Sequence, residues 1–138
     1  MAGINFEITV NNADLVKNLV EEVAIKTLEM WGILAEGYAI GICPVDTGTL
    51  RNSIAHEVDE AENCVEYGTN VEYGIYIEYG TGIYAENGDG RQTPWFYVDD
   101  RGEGHWTRGN KPQPFIRPAI TEHTDEYKDI LYENCINA

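Results

Sequence analysis

The chain predicts an α+β fold in which a long N-terminal helix and a C-terminal helix pack on a small antiparallel sheet that also sends out an extended β-hairpin arm. Three patterns lead there. Apolar residues recur at steps of three and four for about thirty residues after position 13, apolar and polar residues alternate between positions 54 and 68, and a second helical stripe follows Pro118. At 138 residues the chain fits one domain, read here as 1–138 with an exposed Gly-rich arm at about 83–113.

Residues 4–10, Ile-Asn-Phe-Glu-Ile-Thr-Val, alternate as a half-buried strand would, and Asn11 and Asn12 stand where a helix N-cap is wanted. A helix should therefore start near Ala13. Val16, Leu19/Val20, Val23, Thr27, Met30/Trp31, Leu34, Tyr38 and Ile42 then form one stripe, about 45 Å long at about 1.5 Å per residue. Gly32, Gly37 and Gly41 lie inside it, each costing around 1 kcal/mol against alanine, so the second half should pack closely on something or bend. Pro44 disfavours helix at Cys43 and ends the element.

Asp46-Thr47-Gly48 reads as a turn, and Thr49 to Ile54 as one helical turn or the start of a strand. Residues 54–60 and 62–68 alternate as strands, with a link around Glu60-Ala61 short enough for a hairpin. The triplet Glu-Tyr-Gly then recurs from positions 66, 72 and 78. Three copies at a period of six cannot bury a solenoid core, so the repeat reads as partly accidental. Gly68 to Asn70 should turn the chain, and Gly80-Thr81-Gly82 should be a tight bend where backbone passes close to backbone.

Farther on, Pro94 to Val98 and His105 to Arg108 look like two strands joined by Asp99-Asp-Arg-Gly-Glu-Gly104. Trp95, Phe96, Tyr97 and Trp106 on this arm are either a small core of their own or an interaction surface. Residues 111–118 should be rigid and extended, and Pro118 suits the first position of the closing helix. In that helix Ile120, His123, Tyr127, Ile130/Leu131 and Cys135 share one face.

Composition excludes several function classes. The chain carries 9 basic against 24 acidic residues, a net charge of −15, which argues against a specific nucleic-acid-binding surface because such surfaces neutralise phosphates with Lys and Arg. The imbalance is also local: residues 52–90 hold no Lys or Arg, while Glu57, Asp59, Glu60, Glu62, Glu66, Glu72, Glu78, Glu86 and Asp89 all fall there. Such a stretch is either a solvated face that aids solubility or a surface that must repel a polyanion. No window approaches the roughly 18 apolar residues of a membrane span, and the N-terminus lacks the basic region of a signal peptide, so a cytoplasmic site of synthesis is expected. Cys43, Cys64 and Cys135 form no CxxC pair and read as reduced thiols, and His56, His105 and His123 are too scattered to suggest a metal site. No P-loop, GxSxG or GxGxxG after a strand is present, so no metal, cofactor or catalytic residue is assigned.

The triplet Asp46-Thr47-Gly48 is also the one that carries the catalytic carboxylate in aspartic proteases. That chemistry needs two carboxylates sharing a proton, so a chain with one copy would have to dimerise. A retroviral-type protease is almost wholly β, with the triplet entered from an apolar strand. Here it follows Pro44 and a long helix.

The order Pro44-Val-Asp46-Thr47-Gly48-Thr-Leu50-Arg51-Asn-Ser53-Ile, then Gly68-Thr-Asn-Val-Glu-Tyr73, then Ile77-Glu78-Tyr79-Gly80-Thr81-Gly82, then Pro112-Gln-Pro114-Phe115-Ile-Arg-Pro118-Ala resembles the gene-ten-type tail-component family of lambdoid tailed phages, the neck or tail-completion proteins. The resemblance spans about residues 10–135, with the arm around Trp95 and Trp106 matching in outline and Gly74 standing where the family often has Ala. It implies a non-enzymatic virion component at the head–tail junction, made in the bacterial cytoplasm. It further implies a homo-oligomer, with a hexameric ring as one candidate, that assembles with tail terminator, tail tube and head connector proteins. DNA would pass through the lumen, whose acidic walls the polyanion cannot stick to; no membrane is involved. The motif residues become structural and interaction residues. Asp46 is then expected to cap the Gly48 or Thr49 N–H groups, and Arg51 to pair with Asp46 or a neighbour. The competing readings are a generic acidic module that holds one partner through the aromatic arm, and a dimeric aspartic protease using Asp46.

Overall fold

The computed structural model describes residues 13–138; the strand expected at 4–10 lies outside them. Helix α1 runs from Ala13 to Ile42, as the periodicity predicts, and ends as Cys43 N–H donates to the Ala39 carbonyl at 2.9 Å and Pro44 follows. Its buried face coincides with the expected stripe only in part, at Thr27 and the half-buried Val23, Trp31, Leu34 and Tyr38. Thr27, Leu28, Gly32, Ala35 and Ala39 face inward, whereas Val16, Leu19, Val20, Met30 and Ile42 are exposed. Small residues occupy the contact because neighbours approach closely: a Cβ on Gly32 would lie 2.3 Å from the His56 ring. Gly37 and Gly41, by contrast, face open space, so close packing accounts for one of the three helix glycines.

The short helix α2, Thr49–Ser53, leads into β1, Ala55–Asp59, and β2, Cys64–Gly68, an antiparallel hairpin with His56 opposite Tyr67 and Val58 opposite Val65. These four side chains share one face, and both strands pack on α1. On the other face Glu57 stands directly opposite Glu66. Helix α3, Gly74–Tyr79, and a 3-10 turn over Gly82–Tyr84 precede a second hairpin, β3, Trp95–Val98, with β4, Gly104–Thr107. The three Glu-Tyr-Gly triplets thus fall in a strand, at a helix start and at a helix end; the repeat has no structural counterpart.

The closing helix is broken. Helix α4, Arg117–Thr121, and helix α5, Thr124–Ile136, are separated by a bend where Glu122 and His123 N–H groups donate to Pro118 and Ile120 carbonyls. Helix α5 runs antiparallel to α1: Tyr38 stacks on His123 at 3.5 Å, the Trp31 indole donates to the Tyr127 carbonyl at 2.8 Å, and buried Asn134 donates to Thr27 at 3.0 Å. The face expected from sequence holds at His123, Tyr127 and Ile130 but not at Ile120, Leu131 and Cys135, which are exposed; Ala119 and Asn134 are the buried residues instead. Breaking the helix at 122–123 rotates α5 relative to α4, so no single stripe spans both. All three cysteines are free, with Cys43 buried. The main core is Ala39, Cys43, Leu50, Ile54, Phe115 and Ala119.

Candidate functional site

Phe115 is fully buried, and three of the sequence blocks meet around it. Leu50 of the first block and Gly74 beside the second lie against each other, and a Cβ on Gly74 would sit 3.2 Å from Leu50 and 4.0 Å from the Phe115 ring. Ser53 and Thr69 hydroxyls share a 2.5 Å hydrogen bond, and the Tyr67 hydroxyl donates to the Ile116 carbonyl. Burial pushes the Tyr67 phenol up to about 12, so it remains a donor at any physiological pH.

The third and fourth blocks are joined by Glu78, 4% exposed at the end of α3. Its carboxylate accepts from the backbone N–H groups of Phe115 at 2.7 Å, Ile116 at 3.0 Å and Arg117 at 3.0 Å, and from the Arg117 guanidinium at 2.9 Å. It thereby satisfies N–H groups that the start of α4 leaves without intrahelical partners. Burial alone would raise the Glu78 carboxyl, but the N–H groups of Ile116, Arg117 and Phe115 together with the guanidinium outweigh it and hold the group below its ordinary value. Arg117 also pairs with Glu86 at 2.9 Å, donates to the Glu78 carbonyl at 3.1 Å, and lies 4.5 Å over the Tyr79 ring.

Beyond Glu78 the backbone makes the expected close crossing. Thr81 N–H donates to the Asn110 carbonyl at 2.9 Å and Ile83 N–H to the Arg108 carbonyl at 3.0 Å, while Asn110 N–H donates to the Thr81 hydroxyl at 2.9 Å. Gly82 has a φ of +61°, and a Cβ there would sit 1.9 Å from the Arg108 carbonyl oxygen, so only glycine fits. Gly80 likewise meets the Pro112 ring. Pro114 and Pro118 are half-buried on either side of Phe115.

Two expectations for the first block fail. Thr47, not Asp46, supports the turn: its hydroxyl lies 2.9 Å from that of Thr49 and accepts the Thr49 N–H at 3.4 Å. Gly48, in the left-handed region at φ 85°, forms the helix start. Asp46 is exposed, and among the described residues Arg51 forms no ion pair with it. The turn is closed by shorter threonine hydroxyls, which leaves the Asp46 carboxylate in water.

The block residues outside this core form a surface. Tyr73 and Tyr79 are exposed. Ile75, Tyr76, Tyr79, Ala85, Asp89 and Trp95 contribute to the walls of a cleft of about 440 Å³, with Arg91 5.7 Å over the Trp95 ring. From its edge rises the β3–β4 arm, on which Phe96 and Trp106 pair edge-to-face at 5.7 Å. Asp99 orders the arm's tip: one oxygen accepts the Arg101 and Glu103 N–H groups at 2.9 Å, and the other meets His105 at 2.7 Å. The His105 bond is the main reason its carboxyl lies below the usual value. Asp99, Glu103 and His105 are, among the described residues, the group whose ligand atoms fall within 4.8 Å of one another, and hydrogen bonding within the loop accounts for that proximity.

A second polar cluster ties β1 to α1. His56 lies between Glu29, at 2.7 Å, and Glu36, and these two carboxylates raise its imidazole above the ordinary value against the opposing effect of burial. Sequence reading left both Arg117 and this triad unassigned. Arg117 was legible only as part of the fourth block, and the 20 to 27 residues between His56 and its partners exceed any local spacing rule. Among the described residues no helix is long and apolar enough to cross a membrane. No family model matches the chain, and neither a curated protein nor a solved structure matches it.

Proposed function

We propose that this chain is a structural component of the head–tail junction of a tailed phage, working as a neck or tail-completion protein and carrying no catalytic site. It assembles into a homo-oligomeric ring and binds tail terminator, tail tube and head connector proteins, with DNA passing through the lumen. The observation that carries the reading is the distribution of the four blocks. Residues separated by up to about seventy positions serve one scaffold around Phe115 and Glu78, and that scaffold carries an exposed aromatic arm and, on its first hairpin, an acidic patch of Glu57, Asp59, Glu60 and Glu66. Such an arm suits contact between proteins, and an acidic patch suits a wall that DNA must slide past.

The native mass by light scattering, followed by negative-stain imaging, tests this. Closed rings with a hole wide enough for duplex DNA are expected. A protein that stays monomeric and binds no tail or connector protein overturns the reading in favour of an unrelated acidic module. A dimer in which Asp46→Asn abolishes a peptidase activity would replace it with the protease.

A further inference from the structure

Between positions 52 and 90 His56 is the one side chain that can carry a positive charge. From β1 it presses on α1 at Gly32, where an added Cβ would lie 2.3 Å from the ring. Glu29 and Glu36, one helical turn before and one after that glycine, close the slot: Glu29 lies 2.7 Å from Nε2, and Glu36 meets Nδ1. A neutral imidazole has one N–H and one lone pair, so it can donate to only one of two carboxylates; with both nitrogens on carboxylates, the ring fits as imidazolium. The rest of this contact is thin. Val58, Val65 and Tyr67, which share the face with His56, are all half-buried, so none contributes the full transfer free energy of a core side chain.

We propose that His56 is a pH-operated latch: its imidazolium holds the β1–β2 hairpin on α1, and loss of one proton frees the hairpin to open locally while the rest of the fold stays closed. The titratable groups facing the ring are few. Helix α1 brings Glu29 and Glu36, and β2 brings Tyr67, opposite His56, whose phenol donates to the Ile116 carbonyl and keeps its proton up to about 12. On the outer face of the hairpin Glu57 and Glu66, with Asp59 and Glu60, form an acidic patch. Carboxylates of the hairpin and of the helix are thus held together across a single cation. Deprotonation turns one ring nitrogen's lone pair toward a carboxylate and leaves that repulsion uncompensated. Hydrogen bonds to Glu29 and then Glu36 hold the imidazole above its ordinary value of 6.5, against burial. The latch is therefore fully closed below pH 6.5 and is lost as pH rises through the higher folded value. What remains closed is the core around Phe115 and Leu50, which contains no group of the slot.

Two measurements on the full chain test the latch: an NMR titration of the His56 ring, and amide exchange expressed as protection factors, which removes the intrinsic pH dependence of exchange. The ring should titrate above pH 6.5, and protection of the 55–68 amides should fall by up to about tenfold per pH unit through that transition, while the α5 amides keep theirs. In His56→Gln the hairpin's protection should not change over the same range. Glu29→Gln and Glu36→Gln, at more exposed positions, carry the test if the His56 variant fails to fold; each should lower the pH at which the ring titrates and the hairpin loosens. A ring that titrates at or below 6.5, hairpin protection that stays flat through its titration, or glutamate variants that leave both unmoved would overturn the latch. If α5 loses protection in step with the hairpin, the proton stabilises the whole fold and local opening is wrong.

Discussion

The two hairpins share size and topology but have opposite polarity. In β1–β2, His56, Val58, Val65 and Tyr67 face α1 while Glu57 and Glu66 face water. In β3–β4, Phe96, Val98 and Trp106 face water and nothing in the chain covers them among the described residues. An isolated two-stranded hairpin is marginal in water. The first is held by its packing on a helix; the second is held by the Thr81–Asn110 and Ile83–Arg108 crossings at its base and by Asp99 at its tip. The difference separates a hairpin whose apolar face the chain covers from one whose apolar face it leaves in water.

The contrast is broken most severely from the scaffold side. Phe115→Ala should cost about 3–5 kcal/mol in denaturant unfolding, since the ring is fully buried between Leu50 and the α4 start; a loss under about 1 kcal/mol would show that the core is not centred there. Glu78→Gln should cost about 1–3 kcal/mol, because an amide offers the α4 N–H groups and Arg117 a weaker acceptor. The Glu78 carboxyl is held below its unfolded value of 4.5, so its contribution is fully present above that pH and is lost as pH falls through the lower folded value. Acid unfolding of the wild-type chain should therefore be steeper than that of Glu78→Gln, and identical acid limbs would remove Glu78 from the account.

On the arm the expected effects on the isolated chain are smaller. Trp106→Ala should cost the monomer about 0.5–1.5 kcal/mol, the worth of its pair with Phe96; a loss as large as that of Phe115→Ala would make the arm part of the core and erase the contrast. The smallest effect is expected on the outer face of the first hairpin. Glu66→Lys replaces a like-charge pair opposite Glu57 with an attractive one and should raise stability by about 0.2–1 kcal/mol, measurable as a shift of the denaturant midpoint. If stability falls instead, that face is not a free solvated surface.

Much of the fold was legible because its signals are local. Pro44 and the periodicity bounded α1, alternation and a short link placed the first hairpin, two aromatic-bearing runs around the Gly-containing segment 99–104 placed the second, and Gly80-Thr81-Gly82 announced a close crossing by composition. The face of α1 that is buried was legible only in part, at Thr27, Trp31 and Tyr38, which meet α5. Hydrophobic size pointed to Val16, Leu19 and Met30, but the contact is made by Gly32, Ala35 and Ala39, because what matters there is how near His56 and Phe115 can come. The break at Glu122–His123 likewise left no single stripe for sequence to find.

The candidate site divides in the same way. Sequence alone determined that Trp95, Phe96, Tyr97 and Trp106 lie together on an arm and that residues 52–90 are acidic. Only the tertiary structure decided that Glu78, one of nine carboxylates in an acidic run, is the buried one, because three backbone N–H groups and Arg117, some forty positions away, converge on it. It also decided that Asp46, of the Asp-Thr-Gly triplet, stands in solvent. A local pattern can specify which side of a strand or helix a residue occupies, but the partners that make a buried charge tolerable come from distant parts of the chain, and folding alone brings them within reach.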